Sequence, residues 1–288
     1  MAFQLEDNPY DLIRVCQGNG FPGEISPGPG SGFPVPKKIG CPLDSPVRAR
    51  SGDTASPGEA IRLDGFFPKL MKYLAESVHP DRIRFFLFRH GHLENSEQSV
   101  INGSTDIPLS DRGRSQMEFW REHFQTLNID SCVSSNLQRT IEGIRILTNG
   151  RTLFQEQNPE FRERSFGLWE GKTRKEISEI DPEGYLRWQE LDLSFAPDGG
   201  ESLWGFHDRI SLALEDYIAR TGFGKNVLMV GHSGVNRIFL LNAMGLSLEH
   251  YFRFSQDYAA LNIIDFFREG PPVVHLLNCP PSMVGGAI

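Results

Sequence analysis

Two stretches of the chain deliver imidazoles directly behind apolar runs. In "RIRFFLFRHGH", residues 83–88 are apolar apart from Arg84, and Arg89, His90, Gly91 and His92 follow with no turn residue between. In "NVLMVGHSG", a second apolar run leads into Gly231, His232, Ser233 and Gly234. A neutral imidazole is a nucleophile and a proton carrier, and a guanidinium is a forked donor to oxyanions. Either histidine alone reads as a satisfied core side chain or a capping donor. A group mounted on the end of a buried strand is nevertheless rigidly held, as a reacting group must be. Other chemistries fit less well. His90 and His92 lack a third ligand at the spacing of a zinc site, so neither a metal nor a cofactor is expected. "GHSG" lacks the Gly-x-Ser-x-Gly frame of a nucleophile elbow. His79, His123, His207, His250 and His275 are read as surface or packing residues.

The elements that must position these groups follow from local pattern. An apolar run without alternation is a strand covered on both faces, as in a parallel sheet. Ser110 caps a helix running to Leu127, "DSCVSS" is a further strand, and "NLQRTIEGIRILT" is the helix after it, with Arg139 in its first turn. Residues 201–219 place Leu203, Phe206, Ile210, Ala213, Leu214 and Tyr217 on one helical face. "YAALNIIDFF" and "PVVHLLN" close the pattern as strands. Strand and helix alternate, so the expected class is α/β: a three-layer αβα sandwich around a largely parallel sheet. Ligands of such sheets sit beyond the carboxyl ends of the strands. Arg89, His90, Arg139 and His232 therefore converge on one rim.

These segments resemble the histidine phosphatases, the phosphoglycerate-mutase-like family, over residues 82–278. The resemblance rests on Arg89-His90-Gly91, "GSTDIPLSDRGRSQ", "VSSNLQRT", "FRERSFGLWEG", "PDGGES" and "LMVGHSGVNR", in the family's order. It implies that His90 is the nucleophile and Glu163 the proton donor. His232 is implied as a further catalytic and phosphate-binding group, with Arg89 and Arg139 holding the phosphoryl oxygens. His92, Leu93 and Ser233 depart from the common pattern. Ser96 stands where an asparagine contacting phosphate is usual, and Asn95 or Asn102 is a candidate substitute. Asn95, Ser96, Asn102 and Ser233 are therefore carried as substrate-contacting candidates.

The implied reaction is hydrolysis of a small phosphorylated metabolite. Thirty-eight positions separate Glu163 from Glu201, room for two short helices but not for a mutase's long insertion. The tail "YFRFSQDYAALNIIDF" is similar to α-ribazole phosphatases of cobalamin assembly, and Trp169, Phe195 and Trp204 are candidates to stack on a heterocycle. A phosphoglycerate mutase or a broad sugar-phosphate phosphatase is the alternative reading, and a non-catalytic phosphate-binding module a third.

Bulk properties agree. The net charge of −8 argues against a nucleic-acid partner, so an anion needs a locally basic pocket. Four scattered cysteines form no CxxC, which fits a reducing compartment. The first residues lack a basic start and an apolar core, and no run approaches the ~18 residues of a membrane span, so a cytoplasmic protein without a membrane partner is expected. Between Gly18 and Gly58, 17 of 41 residues are Gly or Pro, too many for a helix or central strand. The organisation expected is a flexible extension over 1–80, a histidine phosphatase domain over 81–278 and a tail over 279–288. A short helix is expected near Pro68. Oligomeric state is not readable from these patterns.

Overall fold

The computed structural model describes residues 67–285 other than 78 and 126. The readings attached to residues 1–66 lie outside the described residues. Among the described residues, six strands form one sheet in the order β3-β2-β4-β1-β5-β6. They are β1 (Arg82–Arg89), β2 (Ser131–Ser134), β3 (Phe154–Gln157), β4 (Lys225–Gly231), β5 (Leu261–Phe267) and β6 (Val273–Cys279). The pairs β3/β2, β2/β4 and β4/β1 are parallel, while β5 runs antiparallel to both β1 and β6. Only β5 is reversed, so the sheet is largely parallel, as the alternation of strand and helix implies.

Burial explains why β1 shows no alternation in sequence. Ile83, Phe85 and Leu87 enter a core shared with α6 (Leu203–Thr221) and α7 (Ser233–Met244). Phe86 and Phe88 enter a second core on the opposite face, with α1 (Phe67–Glu76), α2 (Asp111–Phe124) and α3 (Gln138–Thr148). Helices cover both faces, giving three layers. The apolar stripe read for α6 is buried at every position named. Ser110 caps α2 by accepting from the Gly113 amide at 3.1 Å, and Gly91 approaches Gly113 so closely that a Cβ on either would strike the other strand of backbone. That approach fixes where the chain leaves β1. Two short helices, α4 (Arg174–Ile180) and α5 (Pro182–Gln189), occupy the interval between Glu163 and Glu201.

Two features escaped the sequence. The edge strand β3 is "FQEQ", short and largely exposed, so it has no hydrophobic signature. Arg84, alone among the apolar residues of β1, is buried and forks onto Asp265 of β5 at 2.6 and 2.7 Å. Its Nη1 also donates to the Leu74 carbonyl at 2.7 Å, and Arg82 donates to the Ser77 carbonyl at 2.7 Å. The carbonyls that a helix leaves unpaired at its C-terminus are thus satisfied by β1. The helix expected near Pro68 is α1, and it is docked on the sheet through Phe67, Met71 and Leu74.

Candidate active site

The register that sets Arg89 opposite Gly231 brings the next residue of each strand, His90 and His232, side by side. Their ring centroids lie 5.4 Å apart. Arg139, in the first turn of α3 behind β2, reaches the same rim and donates from Nε to His232 Nδ1 at 3.3 Å. Its two terminal nitrogens donate to the carbonyls of Thr105 and Gly103 at 2.6 and 2.8 Å. The rim that the strand-end residues imply is therefore assembled.

Tautomers follow from these partners. His90 Nδ1 lies 2.8 Å from the Gly91 carbonyl, which can only accept, so Nδ1 carries the proton. Nε2 then holds a lone pair and has no protein hydrogen bond among the described residues. His232 receives a donor at Nδ1, so Nε2 carries its proton and donates to Ser135 Oγ at 2.8 Å. Burial, then Arg139, holds both imidazoles well below the ordinary histidine range, with Arg89 acting in the same direction. Both are neutral. Both nitrogens of His232 are spoken for, and the side chain is fully buried. In this arrangement it orients Arg139 and presents no free N–H to a ligand.

Glu163 lies in the loop after β3. Its carboxylate accepts from the Gly234 amide of α7 at 2.9 Å and from the Arg164 amide at 3.0 Å. A Cβ at Gly234 would meet the Glu163 carboxylate, so glycine there lets the carboxylate approach the amide without shifting. Arg89, His90, Arg139 and Glu163 line one cleft of about 280 Å³, with Asn102, Ser233, Tyr258, Trp188 and further arginines, Arg164, Arg174 and Arg237. Five guanidiniums face one carboxylate in that lining. A protein of net charge −8 thus carries the locally basic pocket that an anionic ligand needs.

The remaining candidates separate. Asn102 lines the cleft and forms a reciprocal amide pair with Asn95 at 2.6 and 3.1 Å. Ser96 does not line it: its hydroxyl accepts from the Leu93 amide and donates to Tyr258 Oη, each at 3.0 Å. Ser233 lines the cleft and accepts from Arg237 Nη1 at 2.6 Å. The aromatic expectation needs correcting. Trp169 and Phe195 are buried in a separate small core and Trp204 is largely exposed beside His207. None of the three lines the cleft; Phe166, Trp188, Tyr251, Phe252 and Tyr258 do. Among the described residues no group of three His, Cys, Asp or Glu is placed to hold a metal ion. Sequence reasoning missed Tyr258, Trp188 and the outer arginines, although "QDY" ends three positions before β5, whose start lies on the rim.

Residues 85–279 match the profile of the histidine phosphatase superfamily (branch 1). The adenosylcobalamin/alpha-ribazole phosphatase of Escherichia coli (strain K12) is 27% identical over 186 residues, covering 64% of this chain and 90% of that protein. Phosphoserine phosphatase 1 of Hydrogenobacter thermophilus is 26% identical over 182 residues, 63% of this chain and 86% of that one. Among solved structures, the alpha-ribazole phosphatase of Shigella flexneri superposes with a TM-score of 0.64 at 25% identity, over 68% of this chain and 96% of that one.

Proposed function

Because the chain belongs to the histidine phosphatase superfamily (branch 1) and is a phosphatase, we propose that it hydrolyses phosphomonoesters through a phosphohistidine at His90. The observation that carries this reading is the unpartnered Nε2 of His90. A neutral, nucleophilic nitrogen, fixed by its Nδ1–H bond to Gly91, opens on a cleft lined by arginines. Arg89 and Arg139 hold the phosphoryl oxygens and offset the charge that gathers in the transition state. Nε2 bonds to phosphorus as the ester P–O bond breaks, and Glu163 gives its proton to the departing alkoxide. Water then enters, Glu163 takes its proton, and attack on phosphorus breaks the P–N bond and frees phosphate. His232 keeps Arg139 in place through both steps.

For substrate we propose α-ribazole phosphate, a reading supported by the similarity to the Escherichia coli and Shigella flexneri proteins. A phosphorylated sugar or hydroxy acid is the second reading, favoured by the outer wall of the cleft. There the indole Nε1–H of Trp188 is buried without a partner and Arg174 lies over its ring at 5.5 Å. Both donors suit a leaving group rich in acceptors.

Two measurements test the proposal. Rapid quench during turnover should trap an acid-labile, base-stable phosphoenzyme that His90→Ala abolishes; a steady turnover with no such species removes His90 as nucleophile. A panel of α-ribazole phosphate, phosphoserine, phosphoglycerates and sugar phosphates, with mutase activity followed alongside, should show hydrolysis without phosphoryl return. The highest kcat/KM should fall on α-ribazole phosphate, and a higher value for an acid-bearing ester selects the second reading.

A further inference from the structure

Tyr258 touches three polar side chains of the rim. The carbon of the Arg89 guanidinium lies 3.9 Å from its ring centroid. The rings of His90 and His92 lie 5.8 and 5.4 Å away. Its hydroxyl accepts from Ser96, whose oxygen is itself held by the Leu93 amide. The ring is therefore pinned at its far end by the loop that follows β1, and its face meets the last residue of that strand.

Arg89 shows what this pinning accomplishes. Its Nη1 donates to the Gln256 carbonyl at 2.5 Å. Its Nε is buried and has no partner. One terminal nitrogen is tethered and one face lies on an aromatic ring, so the guanidinium plane is fixed. Arg89 lines the cleft, so a guanidinium whose plane is fixed in this way is held in place to donate to a phosphoryl group. Without the ring, the tether to Gln256 alone would let the plane rotate about that bond.

We propose that Tyr258 is a positioning residue for phosphoryl recognition: its stacked ring holds the plane of the Arg89 guanidinium, which lines the cleft, in place to meet the phosphoryl oxygens. The ligand named here rests on the phosphatase reading, whereas the stacking does not. Tyr258 also accounts for Ser96. Ser96 lies outside the cleft lining, and its hydroxyl instead fixes the phenol that fixes the arginine.

The experiment compares the full chain with Tyr258→Phe, Tyr258→Leu, Arg89→Gln and the double variant Arg89→Gln/Tyr258→Leu. Inorganic phosphate affinity is read by calorimetry, and kcat and KM with p-nitrophenyl phosphate. Tyr258→Phe keeps the π face and should bind phosphate within about threefold of wild type. Tyr258→Leu should weaken phosphate by about tenfold to thirtyfold, the range of a partly desolvated cation–π contact, and raise KM more than it lowers kcat. In the Arg89→Gln background the same leucine should cost no more than about twofold. Equal weakening in both backgrounds, or wild-type affinity in Tyr258→Leu, overturns the proposal. Should the leucine variant not fold, Tyr258→Met fills the volume without a π face and carries the same expectations. A wild type that binds phosphate but hydrolyses no ester refutes the phosphatase reading and leaves the coupling measurable. One that hydrolyses without coupling refutes Tyr258 alone, and one that neither binds phosphate nor hydrolyses an ester overturns both.

Discussion

Glu163 is held by two backbone amides rather than by a cation, so its position depends on how closely the start of α7 approaches. Glu163→Gln keeps the shape and removes the proton. Its kcat should fall by about 10² to 10⁴, the usual contribution of a general acid–base. The loss should be greatest for esters with poor leaving groups, which steady-state kinetics on a leaving-group series will check. Gly234→Ala tests the approach itself. Alanine suits a helix better than glycine, but here its methyl group would meet the Glu163 carboxylate and the Tyr251 hydroxyl. Activity should drop at least about tenfold while thermal unfolding shifts by only a few degrees; a fully active variant would show that the carboxylate can work from another position.

Among the elements, α1 belongs with the sheet rather than with the chain that precedes it. Its composition and its place beside the Gly/Pro-rich stretch associate it with the extension, yet Phe67, Met71 and Leu74 are buried in the core that also holds Phe86 and Trp120. Arg82 and Arg84 take the carbonyls at its end. Deleting residues 1–66 should therefore leave hydrolysis within about twofold. Deleting through residue 77 removes the three buried apolar side chains Phe67, Met71 and Leu74, each worth about 1.5–3 kcal/mol of burial, and uncovers the core they cover. It also leaves two buried guanidiniums short of an acceptor. The longer deletion should cost at least about 3 kcal/mol in urea unfolding, and equal stability of the two truncations would show that α1 is dispensable to the domain.

For the whole molecule, the rim couples function to acid stability. His90 and His232 are buried neutral, their pKa values pushed well below the ordinary 6.5 by burial and by Arg139. Unfolding restores ordinary imidazoles, so below about pH 6.5 the unfolded chain binds two more protons than the folded one. Stability is therefore at full value above that pH and falls as the medium becomes more acidic, by up to about 2.7 kcal/mol per pH unit from this pair. Urea titrations between pH 7.5 and 5 should show the decline begin near 6.5. A flat stability across that window would mean that the rim accepts protons while folded. The fold holds the two rings together by β1/β4 pairing at its centre, so the same pairing that builds the site creates this acid lability.

Patterns short enough to be carried by neighbouring residues are legible in the amino-acid sequence itself: the unalternating run of β1, the buried stripe of α6, the cap at Ser110 and the strand-end histidines. Each depends on spacing within or just beyond a single element, and adjacent parallel strands turn two such ends into one rim. Nothing local marks Tyr258 as the partner of Ser96, 162 positions away. Nor does anything local mark Asp265 as the counter-charge of Arg84, 181 positions away. The same holds for the cleft wall, where aromatic composition pointed to Trp169, Phe195 and Trp204 and packing put others there. Side chains that meet across separate elements leave no periodicity behind them, because their spacing exists only once the sheet has formed and the helices have closed over it.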